Sequence, residues 1–262
     1  MNYSTLQIEV SKYVAHVQLN RPDAMNSLNQ ELADEIYSCF NELNNDSEIR
    51  AIVLSGAGRA FCAGGDISFL KVINSQSNTG TRQLLADLFH KLTVLARVEK
   101  PVIGALHGFV LGAGFSLALL CDLRIAAEST KFGAEFPMMG LMPELGCTHI
   151  LPTLAGLGKA MELVFTARRF NADEAKTLQL VNKVVPDDKL MEEVMGLAEH
   201  IATLPPLAIG LSKTALRKGV ASGLDDAIQY EANINALCYQ SEDHKEATSA
   251  FFEKRKPIFK GR

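Results

Sequence analysis

Two glycine-rich turns are the first feature of this sequence that could support chemistry. They are SGAGRAFCAGGDI at 55–67 and HGFVLGAGFS at 107–116. Each follows a predicted strand and precedes a helix, where backbone N–H groups lack partners and the helix dipole favours negative charge. Together they could hold a developing oxyanion between two amides. Neither turn has the spacing of a dinucleotide fingerprint, which disfavours a nicotinamide or flavin enzyme.

An isolated carboxylate is the second such feature. Glu144 is the only ionised side chain of the segment 136–158 and stands in the apolar stretch LMPELG. Burial among Leu141, Met142 and Leu145 would raise its pKa and exclude water, which suits a catalytic base. The alternative is that Glu144 caps the helix that follows or pairs with a surface lysine.

Nucleophilic catalysis finds less support. The segment GFSLA at 114–118 resembles a serine elbow, but Ala118 replaces the last glycine of that motif. The six histidines form no suggestive pattern, and His107 beside Gly108 is more typical of a packed, hydrogen-bonded residue than of a base. A serine hydrolase is therefore disfavoured.

The elements that must position these residues alternate between strand and helix, which predicts an α/β fold with parallel strands and crossovers. After Arg168 the pattern becomes helical, and a C-terminal helical subdomain is expected. The predicted elements are strands at 6–10, 17–19, 51–56, 101–106 and 122–127, and helices at 29–43, 84–95 and 115–121.

Composition limits the remaining possibilities. A chain of 262 residues with 47% hydrophobic and 21% charged side chains is expected to fold around a core, and its net charge of −4 argues against nucleic-acid binding. Five scattered cysteines indicate a reducing compartment and no structural metal, and no secretory signal is recognisable, so we expect a cytoplasmic protein. The uncharged stretch 101–120 has the length of a membrane span, but its four glycines favour a strand, a turn and a helix.

The chain resembles the enoyl-CoA hydratase/isomerase (crotonase) family over nearly its whole length. The resemblance rests on LNRPDAMNSLN, AFCAGGDI, KPVIGALHGFVLGAGFSLALLCDLRIAAE, KFGAEFPMMGLMPELG, GKAMELVFTARRFNADEAKTLQLVNKVV and SAFFEKRK. It implies a ClpP/crotonase-like spiral of ββα units over 1–195 and a helical trimerisation region over 196–262. It also implies a homotrimer or a dimer of trimers, and an acyl-CoA thioester substrate whose coenzyme A is not a separate cofactor.

The resemblance also assigns site residues. The thioester oxygen would be held by the amides of Ala63 and Ala113, with Glu144 as the remaining catalytic residue. Residues that would contact the acyl-CoA are Ala24, Met25, Ala63, Gly64, Gly65, Asp66, Ile67, Gly112, Ala113, Phe136, Phe251 and Lys254. Neither a metal nor a nucleic-acid or membrane partner is expected.

Departures from the family pattern narrow the expected reaction. A hydratase of this family uses two glutamates, and their positions here are occupied by Ser116 and Phe136, with Glu135 one residue out of register. Family members that move a double bond carry an acid at the position of Glu144. The resemblance therefore implies a Δ3,Δ2-enoyl-CoA isomerase in acyl-CoA metabolism. Alternatives are another reaction of the family (hydration, decarboxylation, ring or epoxide isomerisation) and a non-catalytic acyl-CoA-binding homologue.

Overall fold

The computed structural model describes residues 3–262. The strands are β1 (Leu6–Ser11), β2 (Val14–Leu19), β3 (Ala51–Gly56), β4 (Ala60–Cys62), β5 (Val102–Leu106), β6 (Phe109–Leu111), β7 (Leu123–Ala127), β8 (Lys131–Gly133), β9 (Arg169–Asn171) and β10 (Lys183–Val185). The α-helices are α1 (Gln30–Asn45), α2 (Ile67–Asn74), α3 (Asn78–Leu92), α4 (Val94–Arg97), α5 (Ala113–Leu120), α6 (Cys147–Ala155), α7 (Leu157–Thr166), α8 (Ala172–Thr177), α9 (Leu190–Ala202), α10 (Pro206–Gly219), α11 (Leu224–Gln240) and α12 (Glu242–Glu253).

The strands form two sheets, and the chain passes from one to the other in a repeating order. One sheet has the order β1-β2-β3-β5-β7-β10 and the other has the order β4-β6-β8-β9. Each pair of consecutive strands β3-β4, β5-β6 and β7-β8 contributes one strand to each sheet, and helices follow before the next pair. Strands β2, β3, β5, β7 and β10 run parallel. The predicted α/β spiral of ββα units is confirmed.

Local sequence explains where the first helix begins and which side it buries. Asn29 has an extended backbone, and its side chain accepts the Leu32 N–H at 2.9 Å, as an N-cap does. Leu32, Ile36, Phe40 and Leu43 recur at helical spacing and are all buried in the main core. Helix α1 therefore confirms the predicted helix at 29–43.

A second apolar cluster joins α9 to the opposite face of the six-stranded sheet. Val53, Ile103 and Ile125 from the sheet pack there with Val194 and Ala198 of α9. The predicted division of the chain after residue 195 falls within this helix. That division stays a prediction.

Two short strands that the sequence did not reveal lie among the helices predicted after Arg168. Strand β9 pairs with β8 in the smaller sheet, and β10 extends the larger sheet beside β7. Each has three residues, which is too short to produce a period of two that could be read from the sequence. Pairing with an existing strand, rather than local pattern, makes these segments extended.

The uncharged stretch 101–120 folds as β5, β6 and α5, as its glycines predicted. Within residues 3–262 no single helix is both long and apolar enough to cross a membrane. The consecutive segments Asp187–Ala202 and Pro206–Gly219 have the length and composition together, but they are bent by 108°.

Candidate active site

The two glycine turns predicted to carry the chemistry lie side by side. A Cβ atom on Gly64 would lie 3.3 Å from the Leu111 carbonyl oxygen and 3.8 Å from the Ala113 nitrogen, and one on Gly112 would lie 3.9 Å from Gly64 Cα. Both glycines have left-handed backbone, with φ of +115° at Gly64 and +51° at Gly112. Glycine suits both positions because its missing side chain permits this φ and the close approach.

Residues 25–28 fix the first turn along its outer edge. Ala63 N–H donates to the Met25 carbonyl at 3.0 Å, Leu28 N–H donates to the Gly64 carbonyl at 2.8 Å, and Asp66 N–H donates to the Leu28 carbonyl at 2.9 Å. The structure therefore brings Met25 next to the loop that contains Ala63, Gly64 and Asp66, as the resemblance implied. Contact of these residues with coenzyme A stays a prediction.

Two polar side chains that the prediction missed hold this loop together. Asn26 is fully buried and donates from Nδ2 to the carbonyls of Ala57 at 2.9 Å and Ala60 at 2.7 Å. The Arg21 guanidinium pairs with Asp66 at 2.8 Å, and Asp66 also begins α2 by accepting from the Ser68 N–H. Nothing in the local sequence marks Asn26, since one asparagine in a polar loop has no distinctive pattern. Its role depends on residues about 30 positions away.

The hydrogen bonds of the loop show that one of the two amides predicted to form the oxyanion hole, that of Ala63, is already occupied. Ala63 N–H already donates to Met25, so it has no proton left for a substrate oxygen. Gly65 N–H makes no hydrogen bond with any residue of 3–262. Leu28 bonds to the residues on either side of Gly65, and successive backbone groups of an extended chain point to alternate edges, so the Gly65 N–H faces away from Leu28. Gly65 replaces Ala63 as the candidate donor.

Ala113 keeps its predicted place as the second candidate. It is the first residue of α5, where no carbonyl one turn earlier is available to its N–H. This N–H is likewise unpaired within the described chain. Two amides at adjoining turns, one of them at the positive end of a helix, form an arrangement that can stabilise negative charge on an oxygen.

Glu144 lies in an irregular segment that leads into α6. Leu145 and Gly146 both have left-handed backbone, and Cys147 N–H donates to the Glu144 carbonyl oxygen at 3.0 Å. The half-buried carboxylate makes neither a hydrogen bond nor an ion pair with any residue of 3–262, and α6 begins without a side-chain cap. Burial raises the pKa of Glu144 to about 6. The capping and lysine-pairing alternatives are therefore wrong.

The predicted apolar surroundings of Glu144 need a correction. Leu145 is buried, but 48% of Leu141 and 69% of Met142 are exposed, so these two side chains do not enclose the carboxylate within one chain.

Ser116 and Cys147 connect the carboxylate to the helix that carries Ala113. The Cys147 thiol has its pKa raised to about 11, first by burial, while contact with Ser116 lowers it and the charge of Glu144 raises it. Cys147 therefore lies near both Ser116 and Glu144. Ser116 is three residues after Ala113 on α5 and fully buried, and its Oγ has no partner of good geometry in the described chain.

The two positions where a hydratase would carry its acids hold no carboxylate in the structure. Phe136 is buried in the main core beside the start of a short 3-10 helix. Neighbouring Glu135 does not compensate, because Arg169 binds its carboxylate through Nε at 2.5 Å. Of Glu135 and Glu144, only Glu144 lacks an ion pair with a residue of 3–262.

The remaining predicted substrate contacts lie at the end of the chain. Phe251 is 78% exposed on α12, which packs against α11. Lys254 follows that helix with left-handed backbone and forms no ion pair with a described residue. Their contact with coenzyme A stays a prediction, as does the absence of a cofactor. Among residues 3–262, no group of three or more His, Cys, Asp or Glu side chains could hold a metal ion.

The spiral of ββα units with unpaired amides at two adjoining glycine turns defines a crotonase-like protein. The family model for enoyl-CoA hydratase/isomerase matches residues 9–262, and the chain belongs to that family.

Similarity to individual proteins supports the same family assignment. The chain is 40% identical to the short-chain-enoyl-CoA hydratase of Clostridium acetobutylicum, over 98% of this chain and 97% of the relative. It is 36% identical to the 1,2-epoxyphenylacetyl-CoA isomerase of Escherichia coli, over 97% of each. The crystal structure of an enoyl-CoA hydratase from Bacillus anthracis superimposes with a TM-score of 0.93 at 34% identity, covering 99% of this chain and all of that one.

Proposed function

We propose that this protein is an acyl-CoA isomerase that shifts a double bond from C3 to C2 of an enoyl thioester. The observation that carries the proposal is the single carboxylate of Glu144, half-buried, without a cationic partner and with a pKa raised to about 6. A base with a pKa near the working pH combines a large ionised fraction with useful proton affinity. Membership in the family supports an acyl-CoA substrate.

The mechanism needs one base and one oxyanion hole. Glu144 removes a proton from C2 of the 3-enoyl thioester, and the electron pair moves onto the thioester oxygen to give a dienolate. The Gly65 and Ala113 amides donate to that oxygen, whose charge is absent in the ground state. The protonated Glu144 then returns the proton to C4, which leaves the double bond between C2 and C3. The proton leaves and returns through the same residue, so no second acid is required.

Hydration is the second candidate, and the names of the relatives favour it. The Clostridium acetobutylicum and Bacillus anthracis proteins are both hydratases. In this chain a hydratase would have to activate water and protonate C2 with Glu144 alone, because Ser116 and Phe136 supply no carboxylate and Glu135 is held by Arg169. Epoxide or ring isomerisation is a further alternative, because the E. coli relative is named as an epoxyphenylacetyl-CoA isomerase.

An assay with two substrates separates the candidates. Purified protein is mixed with 3-hexenoyl-CoA, and the conjugated 2-enoyl thioester is followed by its ultraviolet absorbance. In parallel, 2-butenoyl-CoA is followed for loss of the same absorbance as water adds. Isomerisation predicts turnover in the first assay and little in the second. Turnover of 2-butenoyl-CoA alone would replace the proposal with hydration, and binding of both without turnover would indicate a non-catalytic homologue.

We expect the isomerase to lose activity on the acid side of neutrality. The base must be ionised, and its pKa is raised to about 6 by burial. The value of kcat/KM should therefore be constant above pH 7 and fall about tenfold per pH unit well below pH 6. A pH–rate profile with 3-hexenoyl-CoA measures this, with stability monitored at each pH. A profile that stays flat down to pH 5 would exclude Glu144 as the base.

We also propose that the chain forms a homotrimer or a dimer of trimers, in the cytoplasm. Apolar side chains on α10–α12 and at the end of α10 are more than half exposed, which is unusual unless another surface covers them; they are Leu216, Val220, Leu224, Ile228, Leu237, Phe251 and Phe252. All five cysteines are free thiols, which suits a reducing compartment. Sedimentation equilibrium should give three or six times the 28.5 kDa chain mass. A monomer at micromolar concentration would contradict the assembly.

A further inference from the structure

Helix α5 connects the candidate oxyanion hole to a group of cations at its other end. The helix begins at Ala113, and its last carbonyls receive two arginines. The Leu120 carbonyl accepts from Arg217 Nη2 at 3.0 Å, and the Cys121 carbonyl accepts from Arg124 Nη1 at 2.5 Å. Cations at this position match the negative end of the helix dipole.

Arg124 is the unusual member of this group because it is buried without a carboxylate. It is 6% exposed, and its guanidinium donates to the Cys121 carbonyl and, from Nε at 2.6 Å, to the Leu180 carbonyl. No ion pair joins it to an acid among residues 3–262. Burial of an unpaired cation disfavours folding, and burial indeed lowers the pKa of Arg124.

The charge of Asp122 offsets that of Arg124 only in part. Asp122 accepts from Lys213 at 2.7 Å and from Arg217 at 2.8 Å, so its single negative charge is shared between two cations of α10. The thiol of Cys121 has its pKa raised to about 12, first by burial, and is neutral. Three cations thus face one carboxylate at the end of α5, and the group keeps a net positive charge.

We infer that Arg124 is a positioning residue for the reaction, whose charge and two carbonyl contacts hold α5 and raise the positive potential at the Ala113 amide. The inference rests on the proposed function, because it assumes that this amide binds the thioester oxygen. An eight-residue helix is ~12 Å long. At that separation, and with an effective dielectric constant near 20, one unit charge changes the equilibrium for forming an oxyanion by about five- to tenfold.

Acetoacetyl-CoA tests this without relying on turnover. Its β-dicarbonyl group ionises to an enolate that absorbs in the near ultraviolet, and a more positive oxyanion hole lowers the pKa of the bound ligand. The bound ligand is titrated above pH 7, where Glu144 is ionised, in the wild type, Arg124→Gln and Arg124→Lys. Glutamine retains a donor for one carbonyl but removes the charge, whereas lysine keeps the charge.

We expect Arg124→Gln to lower the equilibrium constant for enolate formation by bound acetoacetyl-CoA about five- to tenfold. Arg124→Lys, which keeps the charge, should have an equilibrium constant close to that of the wild type. Arg168→Gln is the matched control, because that arginine pairs with Glu162 and Glu174 at the surface; it should cause no change. If Arg124→Gln does not fold, Arg217→Gln should shift the equilibrium in the same direction by a smaller factor.

Two outcomes would be negative, and they differ. Wild-type protein that fails to bind acetoacetyl-CoA would overturn the proposed function itself. Wild-type protein that binds and ionises the ligand, with Arg124→Gln indistinguishable from it, would overturn only the role of Arg124; where Arg124→Gln does not fold, an unchanged Arg217→Gln would do the same. A loss of stability without a change in the enolate equilibrium would show that Arg124 is purely structural.

Discussion

Glu144→Gln should reduce kcat/KM for 3-hexenoyl-CoA by about 10²- to 10⁴-fold, the range found when a general acid–base group is removed. Glutamine has nearly the same shape but cannot take a proton from C2. Binding of the substrate should change little, because the amides of Gly65 and Ala113 remain in place. Initial rates and a binding titration with a non-reactive thioester such as acetyl-CoA measure the two effects separately.

The same substitution should stabilise the fold at neutral pH. Burial raises the pKa of Glu144 from 4.5 to about 6, so the folded state binds more protons than the unfolded state between these values. Stability contributed by this residue therefore declines as pH rises from about 4.5 to 6 and stays low above 6. A shift of this size corresponds to roughly 2 kcal/mol. We expect Glu144→Gln to raise the free energy of unfolding by about 1–2 kcal/mol at pH 8, with the difference disappearing near pH 4.

Combining lost activity with gained stability distinguishes a catalytic carboxylate from a structural one. A carboxylate that caps α6 or pairs with a lysine would destabilise the protein when replaced. Denaturant unfolding of wild type and Glu144→Gln at pH 4 and pH 8 makes the comparison. A variant that is less stable at pH 8, or one with undiminished turnover, would remove Glu144 from the mechanism.

Features that depend on local sequence could be predicted. The glycine turns, the strand at 51–56, the helix at 29–43 and the isolation of Glu144 all follow from residues within a few positions of each other. The structure places the two turns side by side because the ββα repeat puts β4 next to β6. Parallel pairing of consecutive units was therefore enough to bring the two predicted groups of amides together.

Features that depend on distant partners could not be predicted. Whether Ala63 or Gly65 offers a free amide depends on which N–H the Met25 carbonyl accepts, and that contact joins residues nearly 40 positions apart. The exposure of Met142 is also nonlocal, because an apolar stretch is buried only where another element covers it. Strand β10 becomes extended only by pairing with β7. In each case the sequence supplied the group and the tertiary fold determined its use.

Gly64→Ala should damage the oxyanion hole with an effect comparable to removing one of its donors, about 10²- to 10³-fold in kcat/KM. Gly64 has a φ of +115°, which alanine rarely adopts, and the added Cβ would lie 3.3 Å from the Leu111 carbonyl oxygen and 3.8 Å from the Ala113 nitrogen. The two turns must move apart to relieve this contact. The strained backbone at residue 64 should also cost about 1–3 kcal/mol of stability. Steady-state kinetics and thermal unfolding measure the two losses.

Gly196→Ala provides the matched control for this substitution. Gly196 lies within α9, and a Cβ there would have no atom within 4 Å. Alanine favours a helix interior over glycine by about 1 kcal/mol, so this variant should be slightly more stable than wild type and equally active. A folded Gly64→Ala protein with the activity of Gly196→Ala would mean that the separation of the two turns does not govern catalysis, and that the thioester oxygen is held elsewhere.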